Sequence, residues 1–152
     1  MCATCAEAMR RAVLLLAFGA LACGSAEPPA RRAPTLIAHD AWARSADSGG
    51  TTAVYLVIEN TDTVPDTLRA VRSALAADAG MHVSMDRRGT MQMVPVRSLA
   101  VSGRDSVVFR PLATHVMLTG LRASIGAGDL LSLTLEFTSG TTLAVPVTVR
   151  QP

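Results

Sequence analysis

Leu131-Ser132-Leu133-Thr134-Leu135-Glu136-Phe137 sets a large apolar side chain at every second position, with a polar residue between each pair. A strand turns successive side chains to opposite faces, so this stretch lays one face on a core and leaves the other to water. Leu143, Val145, Val147 and Val149 repeat the period, with Ala144, Pro146, Thr148 and Arg150 outward. Ser139-Gly140 supplies the turn, and the two runs read as a C-terminal β-hairpin. Pro146 has no N–H to give a ladder, which places the second strand at an edge or a bulge. Upstream, Val54-Tyr55-Leu56-Val57-Ile58 is apolar throughout and bounded by Gly49-Gly50 and Asn60, as in a strand buried on both faces. Further strands are expected near residues 36–44, 91–101, 106–110 and 115–119. Short strands separated by turn signals predict an all-β, single-domain antiparallel β-sandwich. One segment departs from this pattern. Leu68, Val71 and Leu75 stand at helical spacing in an Ala-rich stretch, and local period alone predicts a short helix over Thr67–Ala79.

The chain has 152 residues, of which 49% are hydrophobic and 17% charged, enough for one ordinary domain plus a targeting segment. All 14 basic residues are Arg, against 12 acidic ones. A formal charge of +2 spread along the chain offers no electrostatic footprint for nucleic acid. The apolar fraction excludes a disordered chain. The one uncharged apolar run that stands out, Ala12 to Ala22, is too short for a membrane span: as a helix it rises about 16 Å, half a hydrocarbon core of about 30 Å.

That run follows Arg10-Arg11 and precedes small residues, the pattern of a secretory signal peptide over residues 1–22, with Met9 as an alternative start. Ala20-Leu21-Ala22-Cys23-Gly24 resembles a bacterial lipobox, which makes Cys23 the expected site of lipidation; the alternative is simple cleavage that leaves a free thiol. Residues 23–35 are rich in Pro, small and charged residues and read as a flexible tether from that Cys. The expected location is the bacterial periplasm, anchored to a membrane through lipid. Cys2 and Cys5 fall in the removed segment, so the domain expected at 36–150 has neither a disulfide nor a thiolate ligand.

Five Met (81, 85, 91, 93 and 117) and two of the three His (82 and 115) fall within residues 81–117. Met is ordinarily a filler of core gaps, but a core cluster has no need of interleaved His. In a strand, His115 and Met117 share one face and so do Met91 and Met93, while His82 points away from Met81 and Met85. Neutral imidazole and thioether donors suit Cu(I), zinc would call for Cys, His or carboxylate, and a blue-copper centre requires a thiolate.

The spacing from His82 over ten residues to Met93, and over twenty-one more to His115-x-Met117, resembles the signature of the periplasmic PCu(A)C copper chaperones. Asp40-Ala41-Trp42-Ala43-Arg44, Ala53 to Asn60 and Gly128 to Phe137 resemble that family's first, second and penultimate strands, so the likeness covers about residues 36–150. It implies a cupredoxin-like or immunoglobulin-like sandwich with Greek-key connections, holding one Cu(I) through His82, Met93, His115 and Met117. It also implies strand and loop, not helix, over 67–79. The implied task is delivery of copper to the dinuclear copper centre of cytochrome c oxidase, with Sco-type thiol proteins as co-workers and a monomer as the working form. Leu112-Ala113-Thr114 departs from the glycines that many members carry before the His, and no His/Met-rich tail follows toward Pro152, so one site is expected.

Outside that set, Met91 reads as core packing or a hand-over ligand, Met81 and Met85 as loop or rim residues, and His39 as a surface His. Trp42 and Tyr55 read as core aromatics. Arg87-Arg88-Gly89 reads as a solvated turn, with contact to an acidic acceptor as the alternative. No nucleophile, phosphate loop or acid–base pair suggests an enzyme. A copper-sequestering lipoprotein and a metal-free structural sandwich stand as the other readings.

Overall fold

The computed structural model describes residues 35–151, and the expected signal peptide, Cys23 and most of the tether lie outside them. The described residues form β1 (Leu36–Arg44), β2 (Thr51–Asn60), β3 (Asp66–Arg72), β4 (Ala76–Arg87), β5 (Thr90–Val96), β6 (Leu99–Val101), β7 (Asp105–Phe109), β8 (Thr114–Leu121), β9 (Leu130–Phe137) and β10 (Thr142–Arg150), with no helix among them. Hydrogen bonding follows the order β5-β4-β8-β2-β1-β10-β9-β3-β6. On one edge β2 pairs first with β8, through Thr51–Val54, and then with β7, through Leu56–Asn60. The chain is an immunoglobulin-like β-sandwich, as expected. Its pairs are antiparallel except for β1 against β10.

The C-terminal hairpin forms where the alternation puts it. Leu131, Leu133, Leu135 and Phe137 are buried, as are Val145, Val147 and Val149 opposite them. Each fully buried Leu or Val contributes on the order of 1.5–3 kcal/mol by leaving water, which is why a period of two is so strong a signal. Pro146 is paired only with Ser132 of β9; the pairing of β10 to β1 begins at Thr148, so the missing N–H faces a locally free edge. Val54, Leu56 and Ile58 of β2, Met81 of β4, and Val116 and Leu118 of β8 complete the same core from the other half of the path. The core is closed within residues 36–149, so this stretch has what it needs to fold on its own.

The helical spacing at 67–79 is produced by a bulge. Pairing of β3 with β9 slips between Leu68 and Ala70, so one extra residue reverses the phase of the strand. Leu68 and Val71, three apart, therefore both point into the core. Residues 73–75 turn the chain into β4. The strand expected over 91–101 is divided into β5 and β6, and β5 ends one edge of the sheet.

Polar anchors hold the far end. Asn60, buried, donates its amide N–H groups to the Val64 and Val101 carbonyls, and its Oδ1 accepts from the Asp62 N–H. Asp66 accepts from the Thr67 and Ser139 N–H groups and from the Thr138 hydroxyl, tying the β9–β10 turn to β3. Burial pushes the Asp66 carboxyl upward, but these hydrogen bonds outweigh it and hold the carboxyl below its ordinary value. Glu136 receives Arg72 Nε at 2.6 Å and Arg69 Nη2 at 3.1 Å; the Arg72 hydrogen bond is the main cause of its lowered pKa.

Candidate functional site

The site lies on the outer face of β5, β4, β8 and β2, and strand register assembles it. Residues directly opposite one another in an antiparallel pair share a face. His82 stands opposite His115, Gly80 opposite Met117, and Ser84 opposite Met93. Because Gly80, His82 and Ser84 alternate along β4, Met93, His82, His115 and Met117 all lie on one face of three neighbouring strands. Met91, two residues before Met93 and opposite Asp86, shares that face.

Burial is graded across this face. His115 is 3% exposed, His82 and Met117 are half-buried, and Met93 on the edge strand is 61% exposed. The His82 and His115 rings are 6.1 Å apart and inclined by 24°. His115 Nδ1 lies 3.0 Å from the Ala113 carbonyl, which can only accept, so that nitrogen carries the proton and Nε2 keeps its lone pair. His115 Nε2 and His82 Nδ1 are both buried and have no hydrogen-bond partner among the described residues. Leaving such an atom unpaired costs about 1–3 kcal/mol.

Gly80 lies against the His82 ring: a Cβ there would meet its Cε1 at 3.4 Å and its Nδ1 at 3.9 Å, in ordinary van der Waals contact. A lone glycine inside a strand marks a close approach, but the strand around Gly80 was not legible in the sequence. Beside the imidazoles on the same sheet face, Tyr55 lies 6.4 Å from the His115 ring and Trp42 lies 4.5 Å from Tyr55, with the Arg150 guanidinium 5.5 Å from the Trp42 ring centre. Tyr55 is a core aromatic as expected, whereas Trp42 is only half-buried.

The other expectations sort cleanly. Met81 is not a rim residue: it faces the core at 3% exposure, opposite Val116. Met85 is exposed on the face away from the imidazoles. His39 is exposed and pairs with Asp40 at 3.0 Å, remote from the cluster. Arg88 and Gly89 form the two-residue turn between β4 and β5, both with positive φ. Among the described residues no group of three or more His, Cys, Asp or Glu lies together. The donors available on this face are thus two imidazoles and two or three thioethers, a soft set with no anionic ligand.

Residues 36–149 match the family described as "Putative lipoprotein LpqE-like". The chain belongs to this LpqE-like family, which is of the PCuAC type. The LpqE-like chain is 29% identical over 127 residues to "Putative lipoprotein Lxx21020" of Leifsonia xyli subsp. xyli, covering 83% of this chain and 76% of that one. Its fold is similar to the copper-bound PCuAC domain from PmoF2, with a TM-score of 0.65 at 19% identity over 78% of this chain and 95% of the other. It is also similar to the Cu(I)-bound solution structure of DR1885 from Deinococcus radiodurans, with a TM-score of 0.55 at 25% identity over 85% and 83% of the two chains. This LpqE-like domain therefore carries the sandwich on which those structures hold copper.

Proposed function

We propose that this protein is a copper chaperone that binds one Cu(I) through His82, His115, Met93 and Met117 and passes it to an acceptor protein. The observation that carries this reading is the pair of buried, unpartnered nitrogens, His115 Nε2 and His82 Nδ1, on a sheet face that also bears two thioethers. A soft monovalent cation satisfies both nitrogens and matches the sulfurs, and a neutral donor set favours Cu(I) over Cu(II). The likeness to Cu(I)-bound DR1885 supports the same ion. Thioethers hold copper where thiols would be lost to disulfides, which suits an exported protein.

The gradient of burial suggests the order of release. His115 is the buried anchor and Met93 the solvent-facing donor on the edge strand, so an incoming thiolate displaces Met93 first. Copper stays Cu(I) throughout, and each bond broken to the chaperone is replaced by one to the acceptor. The acceptor we propose is the dinuclear copper subunit of cytochrome c oxidase or a Sco-type thiol protein, with the chaperone a monomer held in the periplasm by lipidated Cys23.

A Cu(I) competition titration against a chromophoric chelator tests the reading, run on residues 33–152 beside Met117→Ala. One equivalent bound by the parent and weakened by tenfold or more in the variant is expected (order of magnitude from ligand-shell losses). No competition with the chelator sinks the copper reading. Copper bound but never surrendered to a two-cysteine acceptor domain would make the protein a sequestering one.

A further inference from the structure

Two large residues at the site-bearing end of the domain adopt left-handed backbone conformations that glycine or asparagine would adopt with ease: Arg88 at φ 57° and Leu112 at φ 60°. Leu112 is also 76% exposed, so packing within the domain does not repay its conformation. Arg88 forms no ion pair among the described residues. The hairpin turn sets the φ of Arg88, and the 110–113 turn, closed by the Ala113 N–H on the Arg110 carbonyl, sets that of Leu112, but neither turn requires a large side chain at those positions.

Both stand beside the proposed copper face. Beyond Ser84, β4 and β5 continue as a ribbon past the start of β8, with Met91 opposite Asp86 and Thr90 opposite Arg87. The Ser84 N–H donates to the Ala113 carbonyl and so draws the 110–113 loop against the ribbon. On the imidazole-bearing face Met91 is 52% exposed, next to the more open Met93. Near these apolar groups stand Arg88, in the turn of the ribbon, and Arg110, at the start of the neighbouring loop, both exposed and neither in an ion pair among the described residues. The one carboxylate of the ribbon, Asp86, accepts the Gly89 N–H.

We propose that this end is the docking surface for an acidic partner protein, with Met91, Met93 and Leu112 as its apolar centre and Arg88 and Arg110 as its rim. The partner's chemistry follows from the charge: carboxylates around an apolar contact complement two unpaired guanidiniums and speed encounter. A lipid surface would lack a ligand for the metal, and this patch has no aromatic side chain of the kind that anchors at membranes. That the partner is the copper acceptor rests on the proposed function; that it is acidic does not.

The test uses residues 33–152 and two short peptides, each with two cysteines, one flanked by glutamates and the other by glutamines. Cu(I) is expected to pass to the glutamate peptide about tenfold faster at low salt, with the advantage shrinking as ionic strength rises. The double variant R88Q/R110Q removes the advantage. Leu112→Gly weakens docking several-fold while leaving the unfolding temperature unchanged or higher, which a structural role for Leu112 would not allow. A serine version of the glutamate peptide, followed by fluorescence anisotropy against the metal-free domain, reads docking without copper, so loss of the copper reading leaves this arm decisive. Equal transfer to both peptides, or no arginine-dependent binding of the serine peptide, overturns the proposal. Arginine-dependent binding to phosphatidylglycerol vesicles in place of the peptide overturns it as well, and makes the surface a membrane one.

Discussion

His82 and His115 face each other across β4 and β8 with their rings 6.1 Å apart, and each ends in a buried nitrogen that nothing in the fold engages. The domain thus carries two buried ring nitrogens, without a hydrogen-bond partner among the described residues, that a bound cation would engage. Cu(I) is expected to raise the unfolding midpoint of residues 33–152, by an amount that grows with free copper as linkage requires. Calorimetry with and without buffered Cu(I) measures it. His115→Leu should abolish the rise. A midpoint indifferent to copper in the parent domain would contradict the site.

Gly80→Ala puts a methyl group 3.4 Å from the His82 ring without asking for an unusual backbone conformation. That is ordinary contact, so stability should change little and Cu(I) affinity should stay within about tenfold of the parent, short of the loss that follows when a ligand's supporting hydrogen bonds are removed. The chelator titration and a thermal melt on the same sample measure both.

Met81 and Met93 make opposite predictions. Met81→Ala empties a core position and should cost about 2–5 kcal/mol, with one copper still bound by the folded fraction. Met93→Ala, on the exposed edge strand, should leave urea unfolding within about 0.5 kcal/mol of the parent and weaken copper. Equal stability losses in both variants would contradict the assignment of faces on β4 and β5.

Acid should weaken the end of the sandwich away from the proposed site. Asp66 and Glu136 bind their protons less tightly in the fold than in the unfolded chain. The stability they contribute is complete above the unfolded carboxylate range, about 4, and is lost as pH falls through their lower folded values. The double variant D66N/E136Q should show a flatter loss of stability than the parent below about pH 4. Parallel curves would place the acid sensitivity elsewhere.

Much of the fold was legible because alternation at β9 and β10 reports directly which side chains leave water. β3 misled because its bulge reverses the strand's phase between Leu68 and Ala70, and an extra residue in a strand imitates helical spacing. β4 was harder still. Ala76 to Gly80 offers little apolar surface, and the segment is a strand because β8 pairs with it, from Ala76 opposite Leu121 to Gly80 opposite Met117. Met81 read as rim because a lone methionine does not say which face its neighbours will cover.

The donor types, the shared face of His115 and Met117, and the period of the C-terminal hairpin all follow from residue chemistry and local spacing. Pairing between distant strands decided the rest. Register alone sets His82 opposite His115 and Met93 opposite Ser84, since a slip of one residue would turn every side chain of a strand to the other face. The burial of His115 and the exposure of Met93 depend on which strands lie alongside and which strand ends the sheet. These are long-range contacts, formed only when the whole core closes, and no local stretch of the chain encodes them.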